Sequence, residues 1–216
     1  MKHSHFIEFL SLRLQQPLPG WDSHKKMSPL INGAIPIGYT KIPQEAKKSA
    51  AAILLYPRSN ESELLLTVRS QKVSHHKGQI SLPGGRSEEN EHTIDTALRE
   101  THEEIGIHPS YIKIIGALSP LYVPPSQSLM NIIVGELHAQ HEFSINTDEV
   151  QEVFSISLDT LLHTDITFHS KQRSNGIEVI APVWEIHPTT HLWGATAMIL
   201  NELLWLYKEF KEHIYE

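Results

Sequence analysis

Glu100, Glu103 and Glu104 stand at spacings i, i+3 and i+4. On a helix turning about 100° per residue they fall within roughly a 100° arc and form one acidic ridge. Like charges so placed repel by a few tenths of a kcal/mol per pair, and only Arg99, four residues before Glu103, offers local relief. Hard oxygen donors with too little positive charge nearby are what Mg²⁺ or Mn²⁺ satisfies. Three glutamates alone also fit a solvated helix face. Just upstream, however, lies Pro83-Gly84-Gly85, whose glycines let backbone amides and carbonyls approach a ligand with no side chain between. A glycine loop feeding an acidic helix offers a phosphate contact and a metal seat together.

The spacing predicts that this helix covers residues 92–105, with Ile94, Ala97, Leu98, Thr101 and Ile105 on an apolar face about 120° from the ridge and Gly106 closing it. The apolar runs at 50–56 and 64–68 read as buried strands around a turn at 57–61. Residues 78–85 are expected to be a loop with at most a short strand. Strands follow at 111–118 and 129–137, separated by the rigid Pro124-Pro125 turn, with a shorter one at 153–157 and two or three more within 165–187. An amphipathic helix is expected at 3–16, a loop through Trp21, Met27 and Pro29, and a last helix at 193–210. Strands interrupted by a few helices suggest an α/β protein with a mixed sheet covered on both faces.

The 216 residues suffice for one well-filled domain spanning 1–216, with a helix and extended lead-in at 1–48 and a catalytic core at 49–216. A net charge of −7 argues against a nucleic-acid partner and against docking on an anionic membrane, though a local basic patch could still hold a small phosphorylated ligand. With no cysteine there are no disulfides, thiolate metal sites or thiol nucleophiles. No signal-peptide run or membrane-length apolar segment is present, so the expected location is the cytoplasm. Monomer and homodimer are both open.

Gly85, Glu91, Arg99, Glu100, Glu103, Glu104, Gly106 and Ile107 fall in register on the pattern G-x5-E-x7-R-E-U-x-E-E-x-G-U, with U aliphatic. The segment thus resembles the Nudix box. Thr101 departs from the first U, keeping a methyl for the core but adding a hydroxyl. The resemblance implies the Nudix α/β/α sandwich with N-terminal and C-terminal helices, and metal-dependent hydrolysis of a pyrophosphate linkage. It also implies Glu100 and Glu104 as principal metal ligands, Glu103 close by or bonded through water, and Gly85 as a carbonyl donor. Glu91 and Arg99 would hold those glutamates in position.

A narrower resemblance precedes the box. Residues 65–70, His76-Lys77-Gly78-Gln79 and Pro83-Gly84-Gly85 look like the signature of coenzyme A pyrophosphatases, although Ser74 and Leu82 depart from it. Leu18-Pro19-Gly20, residues 121–126 and 193–198 resemble the same branch. This implies coenzyme A or a derivative as the small-molecule substrate, giving 3′,5′-ADP and 4′-phosphopantetheine, with contacts at Arg69, His76, Lys77, Gly78, Gly84 and Ser126. Arg69, Lys72, His75, His76 and Lys77 also gather positive charge that could hold the substrate's 3′-phosphate. The general base could come from the box helix, through Glu103, or from the acidic stretch at 147–152, where Glu149 and Glu152 are the candidates. ADP-ribose or NADH as substrate, or a silent nucleotide-binding module, are the rivals; the uncompensated glutamates speak against the last.

Overall fold

The computed structural model describes residues 3–138, 142–172 and 176–214. Helix α1 (His3–Arg13) buries Phe6, Ile7 and Leu10, the i, i+1, i+4 stripe of an amphipathic helix. It is shorter than its apolar pattern suggests. The expected loop after it instead holds the short helix α2 (Trp21–His24) and strand β1 (Leu30–Ile31). Tertiary contacts stabilise α2. Buried Glu202 accepts the Gly20 N–H at 2.7 Å, and Asn201 donates to the Ser23 carbonyl at 2.9 Å.

Strands β2 (Lys47–Arg58) and β3 (Glu61–Arg69) form a hairpin closed at Arg58 and Glu61. Its two linking residues, Ser59 and Asn60, have φ of 51° and 70°, as a type I′ turn requires. The segment expected to be mostly loop contains two short strands, β4 (Ile80–Ser81) and β5 (Gly84–Arg86). Helix α3 (Thr93–Ile105) ends at Gly106, whose φ of 76° makes a left-handed cap. Strand β6 (Ile112–Val123) runs past its expected end through two irregularities, and β7 (Ser128–Leu137) returns beside it.

Strand β8 (Val150–Ser157) leads into a short helix not foreseen from the sequence, α4 (Leu158–His163), whose N-cap Ser157 accepts the Thr160 N–H. Strands β9 (Ile166–Gln172) and β10 (Glu178–Trp184) pair antiparallel; β11 (Leu192–Trp193) then leads into the terminal helix α5 (Gly194–Ile214).

The main sheet runs β4-β3-β2-β7-β6, with β5 also pairing β2 and β8 pairing β3. The β2–β7 pair is parallel and the others antiparallel, so the sheet is mixed. Alternation along β2 explains its unbroken apolar run. Ala51, Ile53 and Leu55 pack into one core with Phe6, Leu10, Leu203 and Leu206 of α1 and α5, whereas Ala50, Ala52 and Leu54 pack into a second with Ala97 and Ile105 of α3. The result is the expected α/β/α sandwich. Each fully buried Leu or Ile there contributes about 1.5–3 kcal/mol. Among the described residues no helix is long and apolar enough to cross a membrane.

On α3 the expected apolar face needs two corrections. Ile94 is 41% exposed, and Thr96 is buried, its hydroxyl donating to Glu91 at 2.8 Å. Glu104, expected on the acidic ridge, is only 1% exposed and lies among the core-facing residues. The departure at Thr101 costs no unpaired hydroxyl, because that group donates to the Ala97 carbonyl at 2.7 Å.

Candidate functional site

Strand β5 pairs with β2 so closely that a Cβ at Gly84 would collide with the Ala50 carbonyl and the Ala51 backbone. At Gly85 a Cβ would collide with the Glu100 carboxylate. These glycines therefore allow α3 to set Glu100 directly against the strand.

Glu104 enters from below. Its Oε2 accepts the Gly84 N–H at 3.2 Å, and its Oε1 lies 3.7 Å from Arg69. Burial pushes its pKa up to about 8, outweighing Arg69 and the Gly84 bond, while Glu100 and Glu149 push the same way. Burial also raises the pKa of Glu100, with Arg99 opposing and Glu103 and Glu149 reinforcing.

Glu149 arrives on the segment before β8. That segment is clipped to the end of α3: the N–H groups of Ser144 and Asn146 donate to the carbonyls of Ile105 and Glu104, at 3.1 and 3.0 Å. On the other side the Ser70 N–H donates to the Glu149 carbonyl at 2.8 Å. One donor atom from each of Glu100, Glu104 and Glu149 thus lies within 4.8 Å of the other two. Three converging carboxylates, two with ionisation suppressed, fit a hard divalent cation.

Glu103 is outside this trio. It is 52% exposed and paired with Arg99 at 3.0 Å. The N–H donors of Arg99 are fully committed: two reach Glu91, at 2.8 and 3.0 Å, and the others reach Glu100, Glu103 and the Arg86 carbonyl. Arg99 therefore positions carboxylates. In turn it holds the pKa of Glu91 down to about 2. Glu152 is 47% exposed on β8, 3.3 Å from His187, and does not join the trio.

Beside the trio opens a cavity of about 670 Å³. Of the expected substrate contacts, Arg69, His76, Gly84 and Ser126 line it, as does Gly85. Lys77 and Gly78 do not. Gly78, with φ of 66°, shapes the loop by donating its N–H to the Arg69 carbonyl. The basic run is also dispersed: Lys72 pairs with Asp148 at 2.8 Å, and His75 is exposed. His76 Nδ1 lies 2.9 Å from Gln79 Oε1, and Ser126 donates to the Val123 carbonyl. The sequence reading missed Arg86, the residue directly after the glycine pair, and the wall that Tyr39, Met130 and Val179 form with Trp193, a residue it had picked out only as part of the 193–198 resemblance. Position next to Gly84-Gly85 could have flagged Arg86; no local pattern marks Tyr39, Met130 or Val179.

The profile described as NUDIX domain matches residues 46–174, which contain the whole carboxylate trio. The chain is 33% identical over 142 residues to the mouse protein named peroxisomal coenzyme A diphosphatase NUDT7, covering 65% of this chain but only 59% of that one. It is 35% identical over 160 residues to mouse mitochondrial coenzyme A diphosphatase NUDT8, covering 70% of this chain and 75% of that one. The crystal structure of the Nudix hydrolase RenU from M. smegmatis superposes with a TM-score of 0.50 at 14% identity, over 76% of this chain and 88% of that one, a likeness of fold alone.

Proposed function

This chain belongs to the Nudix family and is a pyrophosphohydrolase, and from that premise we propose that it cleaves the pyrophosphate linkage of coenzyme A or a derivative of it. The observation that carries the hydrolytic part is the convergence of Glu100, Glu104 and Glu149 beside Gly84 and Gly85. The substrate is supported by the mixed lining of the cavity next to them. Arg69, His76 and Arg86 give it positive or hydrogen-bonding groups, and Ile31, Met130, Val179 and Trp193 give it apolar surface. A nucleotide diphosphate joined to a pantetheine arm offers groups for both. The names of the two mouse relatives point the same way.

Nudix hydrolases work with divalent metals, and Mg²⁺ or Mn²⁺ suits the all-oxygen donor set. Glu100 and Glu104 would hold the ion, with Glu149 beside them; when bound, it supplies charge stabilisation to the diphosphate oxygens. Arg99 fixes Glu100 and Glu103 while Glu91 braces Arg99. Glu149 takes a proton from the attacking water. The water oxygen bonds to one phosphorus as the bridging oxygen departs with the other, giving 3′,5′-ADP and 4′-phosphopantetheine. Arg86 and His76 are the cavity residues suited to the 3′-phosphate.

Chromatography of products after incubation with coenzyme A, ADP-ribose and NADH, each with Mg²⁺ and with Mn²⁺, tests the assignment. Coenzyme A is expected to be turned over with the highest kcat/KM. Faster hydrolysis of ADP-ribose or NADH would overturn it.

A further inference from the structure

A second, smaller sheet, in which β10 pairs with β1, β9 and β11, carries another cluster of side chains able to hold a metal ion. In the β9–β10 pair His169 stands opposite Ala181 and Thr167 opposite Val183; across the other edge of β10, Trp193 stands opposite Val183. Side chains alternate faces along a strand, so all five residues share one face. Continuing β10 and β11 by one residue beyond the Trp184–Leu192 pair brings Glu185 opposite His191 on that same face.

The side chains meet there. His169 Nε2 lies 3.1 Å from Glu185 Oε1, to which Thr167 also donates at 3.3 Å. The rings of His169 and His191 are 4.2 Å apart between centroids, at 67°. Each of His169, Glu185 and His191 offers a donor atom within 4.8 Å of the other two, and among the described residues only this group and the carboxylate trio do so. An ordinary surface ion pair needs one imidazole for one carboxylate. A second imidazole packed against the first adds repulsion whenever both are protonated, but adds a ligand when a cation takes the protons' place.

The donor chemistry differs from that of the trio. Two imidazoles and one carboxylate suit Zn²⁺ and its late-row neighbours, whereas Mg²⁺ takes oxygen donors and keeps its water. Three protein donors also leave a coordination position for water or for a ligand. His169 and His191 line a cavity of about 530 Å³ that shares Gln79, Val179 and Trp193 with the larger one beside the carboxylates.

We propose that His169, Glu185 and His191 form a second metal site, selective for Zn²⁺ over Mg²⁺, on the wall adjoining the substrate cavity. The proposal does not depend on which pyrophosphate the enzyme cleaves. The test is equilibrium dialysis of the full chain against Zn²⁺ in excess Mg²⁺, in a Glu104→Gln background that weakens the carboxylate site. One Zn²⁺ per chain is expected in this background. His169→Ala and His191→Ala should each weaken its binding by roughly tenfold or more, since each imidazole is one of only three protein donors. The exposed His5→Ala should not change it. Glu185→Gln provides a variant of unchanged shape, and circular dichroism confirms folding of each. No Zn²⁺ uptake by the parent, or parental affinity in both histidine variants, would overturn the proposal.

Discussion

Glu104→Gln, studied without metal, probes the buried carboxylate apart from catalysis. Its folded-state pKa of about 8 lies well above the reference value of 4.5, chiefly because burial removes it from water. Below pH 4.5 the carboxyl is protonated in both states and contributes nothing to the pH dependence. Between pH 4.5 and 8 only the folded state retains the proton, so stability falls as pH rises, by up to about 1.4 kcal/mol per unit. Above pH 8 the loss is complete and comes to roughly 4–5 kcal/mol, an order-of-magnitude figure. Glutamine copies the shape of the protonated acid and cannot ionise. In EDTA, urea midpoints of the wild type should therefore drop steeply between pH 5 and pH 8.5, while those of the variant should drop much less, leaving it more stable at pH 8.5. Added Mg²⁺ should raise the wild-type midpoint at pH 8.5 and barely move that of the variant. Equal pH slopes for the two proteins in EDTA would refute the reasoning, because Glu104 would then be ionised in the folded state as readily as in the unfolded chain.

Further outcomes follow from the site. Activity should vanish in excess EDTA and return with Mg²⁺ or Mn²⁺; full turnover in chelator would remove the metal assignment. Glu149→Gln should lower kcat by roughly 10²- to 10⁴-fold, whereas Glu152→Gln should stay within a few-fold in the same steady-state assay. Arg99→Lys keeps the charge but loses the five-donor fork, and should cost on the order of 10- to 100-fold in kcat with little change in thermal stability at saturating metal. Coenzyme A should exceed dephospho-coenzyme A by roughly ten- to a hundredfold in kcat/KM; Arg86→Ala should shrink that ratio more than Lys77→Ala, and equal hydrolysis by the wild type would remove the 3′-phosphate contact.

The sequence alone determined the features carried by local spacing. Residues i, i+3 and i+4 come together on a helix whatever surrounds it, so the glutamates of α3, the glycine pair before it and the Gly106 cap were legible. Alternation and unbroken apolar runs likewise foretold buried strands and a sheet covered on both faces. Even the burial of Glu104 was within reach: at about 100° per residue it lies only some 20° from Ala97 around the helix, at the edge of the apolar stripe. Tertiary structure decided which carboxylates act together. Glu149 joins Glu100 and Glu104, and Glu103 and Glu152 do not, because backbone bonds from Ser144 and Asn146 anchor the 144–149 segment on the end of α3. It also dispersed the basic run, where Lys72 found Asp148 and Arg69 turned toward Glu104. The cavity wall joins Tyr39, Arg86, Met130 and Trp193 from four distant stretches of chain. Helical and strand periods report which face a residue occupies; which faces then meet depends on long-range hydrogen bonds and packing, which no local period encodes.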